Sequence, residues 1–253
     1  MARDLIGYRG RLLLARLVAL VRPPARTIPL SVDSILGSQA ALSIVERFND
    51  LYFRSSVAGT LRWRGLELIK NPCDLWTVID LLQELRPAAI VETGTHFGGS
   101  ATFYADMSAA LGTDTTVITV DVNPKWSYDP AIRNIVSVVG VSTSTAAVDR
   151  VRAELRGLLA RRPGPVIVML DSDHTEENVS LELQLYAPFV TVGSYLIVED
   201  TNVNGHPSSP EFGPGPYEAV QRFLAANHNF EADRSREKHL LTFNPHGWLR
   251  RVS

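Results

Sequence analysis

The chain contains a single cysteine, Cys73, among 253 residues, which excludes intrachain disulfides and cysteine-rich zinc sites. Its formal net charge is −2, so composition offers no reason to expect nucleic-acid binding. Internal repeats and low-complexity stretches are lacking. The hydrophobic fraction of 45% and the charged fraction of 21% are ordinary for a globular protein. The composition therefore indicates one large globular domain, alone or with an extension.

The first 26 residues lack an apolar run long enough to span a membrane, and they are strongly basic. They hold six arginines and a single acid, Asp4. Residues 12–21 are apolar except for Arg16, whereas a spanning helix needs about 20 apolar residues. Arg16 also interrupts the apolar core of a signal peptide, and no small-residue cleavage site is clear. Two interpretations remain: a basic helix packed on the domain or on a second subunit, and an interfacial helix on an anionic membrane. We expect a cytoplasmic homo-oligomer, a dimer, with the inner face of the membrane as the alternative location.

Short apolar runs alternate with helical patterns through most of the chain. After a helix at 40–53 and another at 74–85, strands are predicted at 88–92, 116–121, 135–139, 166–170 and 195–198. Helices are predicted at 99–111, 146–159, 176–186 and 217–226, followed by a strand pair near 240–242 and 248–250. This alternation is typical of an α/β fold with a mostly parallel sheet covered by helices on both faces. We predict a basic, helical N-terminal extension, 1–65, and a Rossmann-like domain, 66–253.

Two of the predicted strands end in acidic residues that have no lysine or arginine beside them in the sequence. The apolar run 166–170 leads into Asp171-Ser172-Asp173-His174, and the run 195–198 leads into Glu199-Asp200. The carboxyl ends of parallel strands form the ligand crevice of open α/β sheets. Carboxylates gathered there would repel one another unless a cation lay among them, and carboxylate oxygens are ligands of Mg²⁺. The sequence therefore predicts a divalent metal site.

A dinucleotide fingerprint is also missing. The first strand is followed by a turn with Gly94-x-x-x-Gly98, not the G-x-G-x-x-G pattern that a pyrophosphate needs. The second strand ends in Asp121, which could accept ribose hydroxyls or cap a turn. The third leads into Gly140 and Ser142, where an adenine could approach the backbone. Together these strand ends favour a nucleoside ligand without a pyrophosphate, such as S-adenosylmethionine.

Four stretches of the sequence resemble the cephalosporin hydroxylase / rhamnosyl O-methyltransferase family. They lie at residues 92–101, 170–174, 195–207 and 212–219, and the resemblance extends from about residue 60 to the C-terminus. It implies a class I methyltransferase fold and a Mg²⁺-associated, S-adenosylmethionine-dependent enzyme. Within the family, the chain is most similar to mycobacterial enzymes that methylate sugars of glycolipids. The implied acceptor is a sugar or glycoside, either a small molecule or an oligosaccharide, with a polyketide or other secondary metabolite as the alternative.

The resemblance also implies roles for individual residues. It implies cofactor contacts for residues at the strand ends and the glycine turn: Glu92, Gly94, Thr95, Gly98, Ser100, Asp121, Ser142 and Asp171. Asp121 would bind ribose and Ser142 would lie near adenine. The metal ligands would be Asp171, Glu199 and Asp200, where catechol-type enzymes commonly have Asp-Asn in place of the last two.

His174 lies where the catechol type has a lysine base, so its role as general base is an inference from its chemistry. Its unperturbed pKa of roughly 6.5 suits proton transfer near neutral pH. Asp171 is the alternative base, and a helix-start contact to Glu176 or Glu177 is the structural alternative for His174.

The loop 202–217 is rich in glycine and proline, and we expect it to cover the acceptor, with His206 and Tyr217 near the sugar. A rigid structural crossover is the other interpretation. A non-haem iron site built from His174, His206 and Asp171 is disfavoured by the adjacent Glu199-Asp200 pair and by Asp121. A third alternative is a protein that binds S-adenosylmethionine without catalysis, and such a protein would lack affinity for a metal.

Overall fold

The computed structural model describes residues 34–35, 37–123, 125 and 134–253. The chain divides into two compact units, 1–42 and 43–253. The basic segment 1–26 lies outside the described residues, and the domain boundary placed after residue 65 stays a prediction. None of the described helices is long and apolar enough to cross a membrane.

Helices and strands alternate along the described chain much as the sequence predicts. The helices are α1 (Gln39–Arg54), α2 (Pro72–Leu85), α3 (Gly99–Ala110), α4 (Thr145–Arg161), α5 (Glu176–Tyr186) and α6 (Pro216–Ala226). The strands are β1 (Arg62–Trp63), β2 (Leu66–Glu67), β3 (Ala89–Thr93), β4 (Thr116–Asp121), β5 (Ile135–Val139), β6 (Val166–Leu170), β7 (Tyr195–Val198), β8 (Phe230–Ala232) and β9 (Trp248–Arg251).

Seven of these strands form one sheet in the order β5-β4-β3-β6-β7-β9-β8, and β1 pairs with β2 in a separate antiparallel hairpin. The first five strands of the large sheet are parallel, while β9 runs antiparallel to both β7 and β8. The predicted fold class is therefore confirmed. The strand predicted at 240–242 is wrong, because the partner of β9 is β8. Leu240 has a φ of 62°, in the left-handed region that a strand cannot contain.

The two faces of the sheet are both buried, which explains the continuous apolar runs in the sequence. On one face, Ala89 and Val91 pack against α4, α5 and α6 through residues such as Leu183. On the other, Ile90 packs against α2 and α3 through residues such as Leu81. Alternate residues of a single strand thus enter opposite halves of the core.

The strand order reverses between β3 and β6, so the connections that follow these two strands leave in opposite directions. The register pairs Thr93 with Leu170 and Leu170 with Val198. The loops after β3, β6 and β7 therefore begin at the same edge of the sheet. This alignment brings together residues that are far apart in sequence.

Candidate active site

A cavity of about 530 Å³ opens at this edge. Loops that follow five parallel strands form its wall, and the connector between β2 and α2 closes one side. Eight of the predicted site residues line it: Gly94, Thr95, Ser100, Asp121, Ser142, Asp171, His174 and Asp200. Five do not: Glu92, Gly98, Glu199, His206 and Tyr217.

Gly94 lies where the loop after β3 packs directly against the loop after β6. Its φ is 88°, and a Cβ built on it would lie 1.9 Å from the backbone oxygen of Asp171. Only glycine fits this position without moving one of the two loops. The sequence pattern suggested a turn here, and the structure adds that the turn is packed against the acid-bearing loop.

Asp121 lies at the end of β4 with both carboxylate oxygens held by backbone amides. Oδ2 accepts a hydrogen bond from His96 N and Oδ1 accepts one from Asn123 N, both at 2.8 Å. The second bond is the turn cap that the sequence left open as an alternative. Because each oxygen has a further lone pair, the carboxylate can cap the turn and still accept hydroxyls from a ligand.

Ser142 lines the cavity in the loop after β5, the strand next to β4. Its carbonyl accepts a hydrogen bond from the buried hydroxyl of Tyr186 at 2.7 Å, and its Oγ lies 3.5 Å from the Oγ of Ser172. Ser172 in turn donates to Glu182 at 2.7 Å. This chain of contacts ties the loop after β5 to α5 and the loop after β6.

Glu92 and Gly98 support the cavity from behind. Glu92 is fully buried and accepts a hydrogen bond from Thr119 Oγ1 at 2.8 Å. Burial raises the pKa of Glu92 to about 7, although Lys70 opposes the shift. Thr119 also contacts Thr95 Oγ1 at 2.7 Å, so these two hydroxyls link Glu92 to the cavity wall. Gly98, with a φ of 76°, turns the chain into α3.

Asp171, His174 and Asp200 form a cluster whose ligand atoms all lie within 4.8 Å of one another. His174 Nε2 is 3.3 Å from Asp200 Oδ2 and 4.0 Å from Asp171 Oδ1. Asp200 has a φ of 55°, and its backbone N–H donates to Asn244 Oδ1 at 3.0 Å. Two carboxylates are suitable ligands for a divalent cation, so Asp171 and Asp200 fit the predicted metal, and the imidazole of His174 lies close enough to serve either as a third ligand or as a base.

A lysine does accompany these acids in the folded protein, which corrects the expectation from their immediate sequence. The Nζ of Lys70 lies 2.6 Å from Asp171 Oδ2 and 3.1 Å from Glu199 Oε1, and its side chain is only 5% exposed. Lys70 is 101 residues upstream of Asp171. The sequence around Lys70 did not indicate this pairing. Lys70 directly precedes Asn71, the residue that caps α2, and nothing in that local pattern links it to the acids.

Glu199 is engaged on both carboxylate oxygens. Oε1 pairs with Lys70, and Oε2 accepts a hydrogen bond from Asn244 Nδ2 at 2.9 Å. The described cluster that could hold a metal therefore combines Asp171 and Asp200 with His174, whereas Glu199 lies behind it. Burial raises the pKa of both Asp171 and Glu199, and the Lys70 ammonium opposes it in each case. The metal-binding roles stay predictions.

His206 and Tyr217 lie together, away from the cavity wall. Their rings stack with centroids 3.7 Å apart at an interplanar angle of 18°. His206 Nε2 is 2.9 Å from Glu218 Oε1. Burial of Glu218 opposes its ionisation, but hydrogen bonds from Gly215 N and His206 outweigh it and lower the pKa of Glu218 to about 2. These contacts order the loop after β7. They do not bring His206 to Asp171 and His174, as the iron-oxygenase alternative requires.

Comparison with known proteins gives a consistent set of matches. The family model described as Rhamnosyl O-methyltransferase/CmcI matches residues 55–252. A rhamnosyl O-methyltransferase of Mycobacterium leprae (strain TN) is 38% identical over 211 residues, covering 82% of this chain and 90% of its own. A rhamnosyl O-methyltransferase of Mycobacterium tuberculosis (strain ATCC 25618 / H37Rv) is 34% identical over 239 residues, covering 94% and 95%.

Solved structures show the same fold. The structure described as "cmcI-D160 Mg-SAM" matches with a TM-score of 0.60 at 23% identity, covering 77% of this chain and 78% of its own. The structure described as "CmcI-N160 apo-structure" matches with a TM-score of 0.60 at 24% identity, covering 77% of each chain.

Proposed function

This chain belongs to the Rhamnosyl O-methyltransferase/CmcI family, and we propose that it methylates a sugar hydroxyl, using S-adenosylmethionine and Mg²⁺. The predicted family, the class I methyltransferase fold and the O-methyltransferase activity are confirmed by the matches. The enzyme acts on a small-molecule or glycoside acceptor. The observation that carries the proposal is that one cavity holds the Gly94 turn, Asp121 and the acid cluster.

The cofactor half of the cavity fits a nucleoside bound to an amino acid. Gly94 and the first residues of α3, Gly99 and Ser100, line the cavity together, and the methionine part would lie beside this helix N-terminus. Asp121 would accept the ribose hydroxyls at the end of β4. Ser142, in the loop after β5, would lie near the adenine. No pyrophosphate subsite is required, which agrees with the absence of G-x-G-x-x-G.

The acceptor half is built to prepare an oxygen nucleophile. A sugar hydroxyl is a weak acid, and a coordinated divalent cation lowers the pKa of such an oxygen and fixes its direction. Asp171 and Asp200 would hold the cation, with Glu199 behind them. His174 would take the proton of the hydroxyl at Nε2, and Asp171 is the alternative base. Alignment of the oxygen with the methyl–sulfur bond supplies much of the remaining rate enhancement.

Rhamnosyl glycosides are the proposed acceptor class, because both mycobacterial relatives carry that substrate in their names. The test measures transfer of a labelled methyl group from S-adenosylmethionine to rhamnosyl, glucosyl and non-sugar phenolic acceptors, each with Mg²⁺ and with a chelator. We expect metal-dependent methylation of the rhamnosyl acceptor. Methylation of the phenol alone would instead favour a secondary-metabolite acceptor, and activity unaffected by the chelator would contradict the metal.

Membrane contact through residues 1–26 and a dimeric assembly belong to the same proposal and rest on sequence alone. The six arginines and the apolar run 12–21 support an interfacial segment. Co-sedimentation of the full chain with anionic and with neutral vesicles tests the first, and light scattering after size exclusion tests the second. A monomer that ignores anionic vesicles would contradict both.

A further inference from the structure

Lys70 is held in place by its surroundings. The connector that carries it, between β2 and α2, packs on the start of α3, where a Cβ on Gly99 would lie 1.9 Å from the backbone oxygen of Glu67. Directly after Lys70, the side chain of Asn71 accepts a hydrogen bond from Cys73 N at 2.9 Å and caps α2. The backbone that carries Lys70 is therefore anchored to the starts of both helices.

The ammonium also bridges the ends of two neighbouring strands. It pairs with Asp171 after β6 at 2.6 Å and with Glu199 after β7 at 3.1 Å. Burying an ammonium or a carboxylate is costly unless the opposite charge is close. Neither acid has a second basic partner of comparable burial among the described ion pairs, since the neighbouring His174 is 27% exposed.

The influence of this single charge extends beyond its two direct partners. The Lys70 ammonium opposes the burial-driven rise in the pKa of every buried carboxyl group around it: Asp74, Glu92, Asp171, Glu199 and Asp200. When ionised, the three acids at the ends of β6 and β7 together with this ammonium carry two net negative charges. A divalent cation would balance that charge.

We propose that Lys70 is a positioning residue: a built-in counter-ion that holds Asp171 and Glu199 together and carries the positive charge of the cluster when no metal is bound. It occupies Asp171 Oδ2 and leaves Oδ1 toward His174, on the side of the metal cluster. The effect of Lys70 on metal binding rests on the proposed function. The pairing of Lys70 with Asp171 and Glu199 does not depend on it.

The first test is made on the full chain in the presence of a chelator. Lys70→Met keeps the length of the side chain and removes its charge, and we expect it to lower the melting temperature. Adding Glu199→Gln to this variant removes one of the acids left unpaired, so the double variant should recover much of the loss. Lys238→Met is the matched control, because Lys238 pairs with Asp80 at the surface and should change little.

Recovery of the melting temperature in the double variant distinguishes the two possible roles of Lys70. If Lys70 only filled space, removing the charge of Glu199 would not restore stability. If Lys70→Met does not fold while the double variant does, the proposal is supported. A double variant no more stable than Lys70→Met would overturn it, whether or not the protein binds a metal.

The second test titrates Mg²⁺ into the chelator-stripped wild type and Lys70→Met by calorimetry. A removed positive charge beside the ligands should tighten Mg²⁺ binding about tenfold or more. Equal or weaker binding by the variant would overturn the counter-ion role. Absence of Mg²⁺ binding in both proteins would instead contradict the proposed function, and the melting experiment would then decide about Lys70 alone.

Discussion

Substitution of Gly94 by alanine tests the close packing on which the site depends. The new Cβ would lie 1.9 Å from the backbone oxygen and 2.7 Å from the backbone carbon of Asp171. Real Cβ contacts are not found below 3.0 Å, so the loops after β3 and β6 must separate by more than 1 Å. Both contacted atoms belong to the backbone, and no side-chain rotation relieves the clash.

Two separate effects set the magnitude. A left-handed conformation costs about 1–2 kcal/mol for a residue with a Cβ. Overpacking of a well-packed contact typically costs about 1–3 kcal/mol more. Their combination is a large fraction of the roughly 5–15 kcal/mol by which domains are stable. The same displacement moves Asp171 away from the Gly94 turn, so cofactor and metal binding should weaken as well.

Urea denaturation of Gly94→Ala and of Gly65→Ala separates the two effects. Gly65 has a φ of 81°, and nothing lies within 4 Å of the place that a Cβ would take there, so its substitution introduces conformational strain without a clash. We expect Gly94→Ala to lose about 1–3 kcal/mol more than Gly65→Ala, and calorimetry should show weaker S-adenosylmethionine binding for Gly94→Ala alone. Equal losses of stability, with unchanged cofactor binding, would refute the argument that the approach is rigid.

Three further outcomes are expected. His174→Ala should reduce turnover by about 10²–10⁴-fold while S-adenosylmethionine binding is retained, with His239→Ala as the control; turnover within a few-fold of the wild type would remove His174 from the mechanism. The folded pKa of Glu92 is raised to about 7, so its contribution to stability is complete below pH 4.5 and is lost as the pH rises through 7. Glu92→Gln should therefore make the free energy of unfolding in urea decline less between pH 5 and 8. The wild type and the variant should differ in this decline by on the order of 3 kcal/mol at most, and an equal decline in both would contradict the raised pKa of Glu92. Asn244→Ala removes the amide that holds both acids after β7 and should lower stability by about 1–3 kcal/mol, whereas full stability would show that these bonds are replaced by water.

Local sequence pattern was sufficient for most of the fold because buried parallel strands are short apolar runs with abrupt ends. The strands at 116–121, 135–139, 166–170 and 195–198 lie where they were predicted. The strand at 240–242 failed for a reason that pattern does not contain. Asn49 Nδ2 donates to the carbonyl of Leu240 at 2.7 Å, a contact between segments 191 residues apart that holds this stretch in an irregular turn.

The sequence by itself determined which acids would meet at one edge, because the ends of parallel strands share that edge whatever the loops do. It also determined the glycine turn and Asp121, which follow their strands directly. Only the tertiary structure decided how those acids are paired. Lys70, far upstream of Asp171, enters the cluster from a connector with no charge pattern of its own, and Asn244 and Lys70 occupy both oxygens of Glu199. The physical reason is that a buried strand and its end are encoded by neighbouring residues, which a local pattern reveals. The partner of a buried charge is set by the packing of segments that are distant in sequence.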